Sequence, residues 1–339
     1  MDTKQLLFDL CAPAGPAGRE GDAAEKAAEL LSQFAAVRRD ALGNVIGHLG
    51  AQDAPRHVLL DAHMDEIGLV VTSVAGGFVK VGKAGGVDLR TLPAHEVVIW
   101  GVEPIPGLFC ATPPHLSKES DRSKFSPLDE MMVDTGLPAD QLKDLVKPGD
   151  RVTLKRHPAS LLNNRITSGA LDDRAGVASL LKCLCLLPEL QNTQVTVLFS
   201  VQEEVGQAGA ITGSFGVDAT EAIAVDVSFA MSPGCPQNKC GKLGDGVMIG
   251  YSPLLSRPMF ERFLSLAKEE NIPYQTEIMG GDTGTNADYM AVSRTGIPCG
   301  LLSIPQRYMH TACEVVDVDD VEAVAKLLAA YLVKGDEKA

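Results

Sequence analysis

"DDRAGVASLLKCLCLLPELQNTQVTVLFSVQEE", residues 172–204, is the stretch on which the fold turns. Its first half, "DDRAGVASLLKCLCLL", reads as an apolar helix, and "TQVTVLFSV" behind it reads as a buried strand. Helix and strand in alternation build an α/β sheet covered on both faces by helices. Acidic pairs stand at both ends of the stretch. Asp172 and Asp173 open the helix, and Glu203 and Glu204 stand where the strand stops. Nothing basic lies in "LFSVQEEVGQAGA", residues 198–210, to balance the two glutamates. Either the pair is solvated or something positive meets it.

The alternation extends in both directions. Downstream come the strand "EAIAVDVS", the helix "PMFERFLSLAKEENI", the strand "PCGLLSI" and a closing helix, "DVDDVEAVAKLLAAYLVKG". Upstream come the helix "GREGDAAEKAAELLSQF" and the strands "NVIGHL" and "HVLLDAHMDEIGLVV". Between them the texture changes. "GGFVKVGKAGGVDLRTLPAHEVVIWG", "GLFCATPPHL" and "VKPGDRVTLKR" are short alternating segments broken by Gly and Pro, as in a small β-barrel, with one short helix in "PADQLKDLV". The expected organisation is one three-layer αβα domain, residues 1–70 plus 165–339, interrupted by an inserted β domain at residues 71–164.

Composition narrows the function. The 339 residues carry a net charge of −14 with pI near 4.9, which argues against nucleic acid or an anionic membrane as partner. No apolar run reaches the length of a membrane span. The start, "MDTKQLLFDLCAPAG", lacks the basic opening and long apolar stretch of a secretory signal, so a cytoplasmic protein is expected. The eight cysteines include no Cys-x-x-Cys. Cys183 and Cys185 lie in an apolar helix, and Cys235 and Cys240 flank a turn-rich loop.

Chemistry gathers where elements end, as it does in α/β sheets. His63 and Asp65 follow "HVLLDA", Glu203 and Glu204 follow "VTVLFSV", Asp226 follows "EAIAV", and His310 follows "GLLSIPQRYM". Taken singly, each has an ordinary reading. His63 is then a hydrogen-bonded strand-end histidine, Asp172 an N-cap, and the glutamates a solvated pair. Taken together, element ends that carry only metal-ligand residue types are what a metal site requires, because unpaired buried carboxylates are costly. Two divalent cations would neutralise the ligand carboxylates, and imidazole with carboxylate suits zinc, cobalt or manganese. One glutamate of the pair would bind metal and its neighbour would face the activated water.

"DAHMDEIG", "ALDDRAG", "QEEVGQAGA", "AVDVS" and "SIPQRYMHTACEVVDVDDVE" resemble, in order, the motifs of metallopeptidase family forty-two. These are co-catalytic metallo-aminopeptidases that include glutamyl and TET-type tetrahedral enzymes and some proteins labelled endoglucanase. The likeness runs nearly end to end. It implies that Asp172 bridges two metals, that His63 and Asp226 complete one, and that Glu204 and His310 complete the other. It also implies that Glu203 is the general base and that Asp65 orients His63. The inserted domain would be a PDZ-like dimerisation unit. Two departures stand out: Gly169 where many relatives have Lys before "ALDD", and Asn286 in "GTNAD" where "GTDAD" is usual.

The expected activity is hydrolysis of the first peptide bond of short peptides with a free N-terminus. The alternative is a di-metal deacylase acting on N-acyl amino acids. An endoglucanase is disfavoured, because glycosidases use two carboxylates without metal and the chain is only 5% aromatic. A Ser-His-Asp hydrolase lacks its Gly-x-Ser-x-Gly elbow. The ligand set and Glu203 argue against a purely structural assembly protein. Self-association through the inserted domain is expected, with Phe78, Val97, Val98, Ile99 and Trp100 as its candidate exposed apolar groups and the resemblance pointing to a dodecamer. His115, Arg307 and Tyr308 are further candidates near substrate or as loop anchors.

Overall fold

Strand alternation does most of the positioning in this protein, whose computed structural model describes residues 1–113, 115–116 and 126–338. Helices α1 (Thr3–Cys11) and α2 (Gly21–Leu31) lead into β1 (Ala36–Arg39), β2 (Val45–Gly50) and β3 (Arg56–His63). The chain then leaves for β4 (Gly68–Ala75), β5 (Phe78–Ala84), β6 (Glu96–Trp100), β7 (Pro104–Cys110), β8 (Met132–Asp134), α3 (Ala139–Leu145) and β9 (Arg151–Leu154). It returns through β10 (Ala159–Ser160), β11 (Arg165–Ser168), α4 (Leu171–Leu186), β12 (Thr193–Ser200), α5 (Ala208–Phe215) and β13 (Glu221–Phe229). The last elements are β14 (Val247–Tyr251), α6 (Arg257–Glu269), β15 (Tyr274–Ile278), α7 (Ala287–Ala291), β16 (Cys299–Arg307), β17 (Glu314–Asp317) and α8 (Val318–Asp336).

The main sheet has eleven strands in the order β1-β2-β12-β3-β13-β16-β17-β11-β10, with β14 on β16 and β15 beyond it. Its centre, β12, β3, β13 and β16, is parallel. Helices cover both faces of those strands, so their sequences are almost continuously apolar. The two-residue period then sorts the faces. Val58, Leu60 and Ala62 of β3 pack with α1, α2, α4, α6 and α8. Leu59 points the other way, into the layer of α5 and α7. Asp61 and His63 share the side of Leu59. By the same count Asp226 and Ser228 of β13 share the side of Ala222 and Ala224, and Ser303 of β16 that of Leu301. One face of the sheet therefore turns polar toward the carboxyl ends of its strands.

The excursion closes on itself as a six-stranded barrel, β4-β5-β8-β7-β6-β9, around its own core. The expected αβα domain with an inserted barrel is thus the observed architecture. The expected exposure of its apolar residues needs correction. Val97 and Ile99 point into the barrel and are buried. Each such side chain contributes about 1.5–3 kcal/mol by leaving water, and an alternating "EVVIW" strand satisfies this by turning every second residue inward. Trp100 is half-buried, donates its indole N–H to Thr153 Oγ1 at 3.0 Å and lies under the Arg19 guanidinium. Phe78 does remain exposed, and Val102 and Leu108 join it.

Candidate metal centre

β3 ends on His63, level with Ser200 of β12, and Asp226 lies near the end of the adjacent β13. After Ser200 the chain turns sharply through Gln202, whose φ of 58° is left-handed. The turn brings the backbone N–H groups of Glu203 and Glu204 onto Asp65, at 2.9 Å to Oδ1 and 3.2 Å to Oδ2. Asp172 stands at the start of α4 in a non-helical conformation, joined to Asp173 by a cis peptide bond. His310 comes from the turn between β16 and β17.

These segments converge. Asp172 Oδ1 lies 3.0 Å from His63 Nε2, and Asp172 Oδ2 lies 3.4 Å from His310 Nε2. His310 Nε2 is also 3.5 Å from Glu204 Oε2, and His63 Nε2 is 3.9 Å from Asp226 Oδ1. Donor atoms of His63, Asp172 and Glu204 all lie within 4.8 Å of one another, as do those of His63, Asp173 and Asp226. His63, Asp172, Glu203, Glu204, Asp226 and His310 line one cavity of about 890 Å³. Asp65 is wholly buried beneath it, with Oδ1 3.4 Å from His63 Nδ1.

The electrostatics are those of crowded, buried acid. Burial pushes the carboxyls of Glu204, Asp226 and Asp173 well above the ordinary range, and the carboxylate of Asp172 adds to this in each. Asp172 itself is buried too, but hydrogen bonds with His310 and His63 hold it well below that range. Burial would lower both imidazoles. Contact with Asp172 and Asp65 instead holds His63 well above its usual value, and Asp172 raises His310. Two imidazoles do not balance the six carboxyls of Asp65, Asp172, Asp173, Glu203, Glu204 and Asp226, and Glu204 Oε1 and Asp173 Oδ2 are buried without a hydrogen-bond partner. Oxygen and imidazole donors within a few ångströms, some with orphaned lone pairs, fit a divalent cation of the zinc, cobalt or manganese type.

Several contributors were not foreseen. Glu314 accepts from Asp172 N–H at 3.2 Å and from His310 N–H at 3.0 Å, bracing both residues. Its nearness depends on β17 folding back, which no local motif announces. Asp173 joins the His63–Asp226 group, and only its adjacency to Asp172 hinted at this. The inserted barrel also reaches the site: the Gly86 carbonyl, just past β5, is 3.2 Å from His310 Nδ1. A carbonyl only accepts, so Nδ1 carries the proton and Nε2 faces the carboxylates. All five expected ligands lie outside the insertion, and this contact ties one of them, His310, to it. Behind the site, buried Arg174 pairs with Glu66 and donates to the carbonyls of Leu10 and Met64, fixing the segment that follows His63.

The two sequence departures have local explanations. A side chain at Gly169 would meet Arg156 Cγ at 2.8 Å, because the arginine occupies that space on its way to Glu66. Asn286 is buried at the head of α7 and donates to Asp61 Oδ2 at 2.7 Å and to Ser200 Oγ at 2.9 Å, while neighbouring Thr283, Gly284 and Thr285 line the cavity. Arg307 donates to the Met231 carbonyl at 2.6 Å and so anchors a loop. His115 and Tyr308 are exposed and do not line the cavity.

Residues 43–327 match the family model described as M42 glutamyl aminopeptidase. A lysyl aminopeptidase of Pyrococcus furiosus is 33% identical over 303 residues, which cover 87% of this chain and 86% of that protein. An aminopeptidase structure from the archaeon Desulfurococcus kamchatkensis superposes with a TM-score of 0.91 at 33% identity, covering 98% of this chain and 94% of the other. The TET1 peptidase of Pyrococcus horikoshii, described as able to assemble into a tetrahedron or a large octahedral shell, has a TM-score of 0.86 at 31% identity, covering 98% and 99% of the two chains.

Proposed function

The chain belongs to the M42 aminopeptidase family, and from that premise we propose that it removes the N-terminal residue of short peptides with two divalent cations and a glutamate base. The observation that carries the cation reading is Asp172, whose two oxygens face different histidines, His63 and His310. In this reading Asp172 would be shared by two ions, His63 and Asp226 would hold one, and Glu204 and His310 would hold the other. Zinc, cobalt and manganese suit these donors. Bound in pairs, such ions would supply Lewis acidity to a scissile carbonyl and would lower the pKa of water.

The remaining work falls to the chain. Glu203 has Oε1 held by the Gln207 amide at 2.9 Å. Its other oxygen takes a proton from water and delivers it to the leaving amine. Burial raises the Glu203 carboxyl, with His63 opposing, which brings it nearer the neutral pH at which a base must exchange protons. Asp65 orients His63 and holds the Glu203–Glu204 backbone. Glu314 does the same for Asp172 and His310. The free α-amine of the substrate is received by the acidic wall, so an acylated N-terminus is not.

Self-association through the barrel is part of the proposal, with exposed Phe78, Val102 and Leu108 as its apolar contacts. The relatives' names point to different N-terminal residues, glutamyl and lysyl. Protein stripped of metal and refilled with zinc, cobalt or manganese should hydrolyse aminoacyl p-nitroanilides and leave N-acetylated ones intact. Preferential cleavage of N-acyl amino acids would instead make it a deacylase.

A further inference from the structure

Glu277 is a half-buried carboxylate in the cavity that the reaction described above does not use. Its position follows from the pleat. Met279 of the same segment packs into the layer of α5 and α7, so Glu277, two residues before it, faces the polar side of the sheet. There it accepts hydrogen bonds from Ser228 Oγ and, at 3.3 Å, from Ser303 Oγ. Both serines are tied to the metal centre: Ser303 is the register partner of Asp226, and Ser228 lies two residues beyond Asp226 on β13. Adjacent strands are about 4.8 Å apart, and a two-residue step is about 6.6 Å. Between β15 and β16 runs β14, where Gly250 pairs with Glu277 and presents no side chain to block it.

We propose that Glu277, with Ser228 and Ser303 behind it, forms the subsite for a cationic side chain on the substrate's N-terminal residue, making lysine and arginine the preferred termini. The proposal rests on the aminopeptidase reading above and names the substrate class of the same site. Two hydroxyls use only part of the acceptor capacity of a carboxylate, which has about four lone-pair sites. No Lys, Arg or His among the described residues forms an ion pair with Glu277, so its charge is open to a ligand. Met248 and Met309 supply an apolar wall for a methylene stem. Through Ser303 and Ser228 the Glu277 carboxylate stands about one strand spacing or one two-residue step from the Asp226 position, roughly 5–7 Å, comparable with the reach of a four-carbon stem. Burial raises the Glu277 carboxyl and the two hydroxyls oppose this. A cation brought alongside favours the ionised form. Exposed Lys239 and Asp282 on the rim offset one another in sign.

The test is a panel of lysyl, arginyl, leucyl and glutamyl p-nitroanilides with metal-loaded wild type and Glu277→Gln. The expected result is a kcat/KM highest for lysyl or arginyl substrate. In Glu277→Gln the Lys:Leu ratio should fall about tenfold or more while leucyl turnover persists. A leucyl or glutamyl preference in the wild type, or an unchanged ratio in the variant, overturns the subsite and leaves the aminopeptidase reading standing. Absence of turnover on every aminoacyl substrate overturns both. A second measurement needs no variant: free lysine and its uncharged near-isostere norleucine are compared as competitive inhibitors of leucyl p-nitroanilide cleavage by the unaltered protein. Lysine should bind about tenfold tighter, and equal inhibition by the two overturns the proposal.

Discussion

Asp172 presents one oxygen to His63 and the other to His310, and each imidazole has its far nitrogen turned toward an oxygen, Asp65 Oδ1 or the Gly86 carbonyl. With Nδ1 of His310 committed to a donor role, Nε2 is the nitrogen left for the carboxylates: protonated, it donates to Asp172, and deprotonated it has the lone pair that a cation between them would take. The adjacent glutamates diverge at this scale. Glu204 turns toward His310, whereas Glu203 is held by Gln207. On the proposed mechanism Glu203→Gln keeps the size and the metal ligands but removes the proton acceptor. Its kcat should fall by about 100- to 10,000-fold, with metal content by mass spectrometry equal to wild type. Near-normal turnover in the metal-loaded variant would place the base elsewhere.

At the scale of elements, legibility followed range. α4 and β12 could be read from "DDRAGVASLLKCLCLLPELQNTQVTVLFSV" because period and length are local properties. The collection of His63, Glu203 and Asp226 at neighbouring strand ends followed from a parallel sheet. Contacts made by chain reversal stayed hidden. Glu314 is braced against Asp172, 142 residues away, and Gly86 against His310, 224 residues away. The exposed face of β6 was misjudged because a barrel buries alternate residues and "EVVIW" has apolar residues on both phases. The loop after β5 gives an element-scale prediction. A Cβ on Gly86 would stand 2.3 Å from His310 Nδ1, so Gly86→Ala must displace the ring. The melting temperature should change little while metal affinity drops by about 10- to 100-fold; unchanged affinity by calorimetry would deny the barrel its part in the site. A second prediction concerns the start of α8. Burial raises Asp320 from 3.8 to about 7, although it accepts from the N–H groups of Gly244 and Gly246. Because the folded value is the higher one, the stabilisation is complete below the unfolded value and is lost as pH rises through about 7. Urea unfolding between pH 5 and 8 should show stability falling with pH by up to about 1.4 kcal/mol per unit from this group. Asp320→Asn should flatten that slope, and an identical slope in the variant would contradict the assignment.

At the scale of the whole molecule, an acidic chain builds an αβα domain carrying a barrel that contacts the site through Gly86 and exposes apolar residues that do not line the cavity. On the proposal, those residues join copies of the chain. Light scattering should give a mass well above the 35.8 kDa of one chain, and Val102→Asp with Leu108→Asp should reduce it without loss of folding. A strictly monomeric wild type would refute assembly. The central claim, however, is that His63, Asp172, Glu204, Asp226 and His310 together hold two divalent ions. Anomalous diffraction at the zinc edge from zinc-loaded crystals addresses it directly. The expected map has two peaks, one on each side of the Asp172 carboxylate, the first beside His63 and Asp226 and the second beside Glu204 and His310. Full zinc occupancy with no peak pair at Asp172 would contradict it.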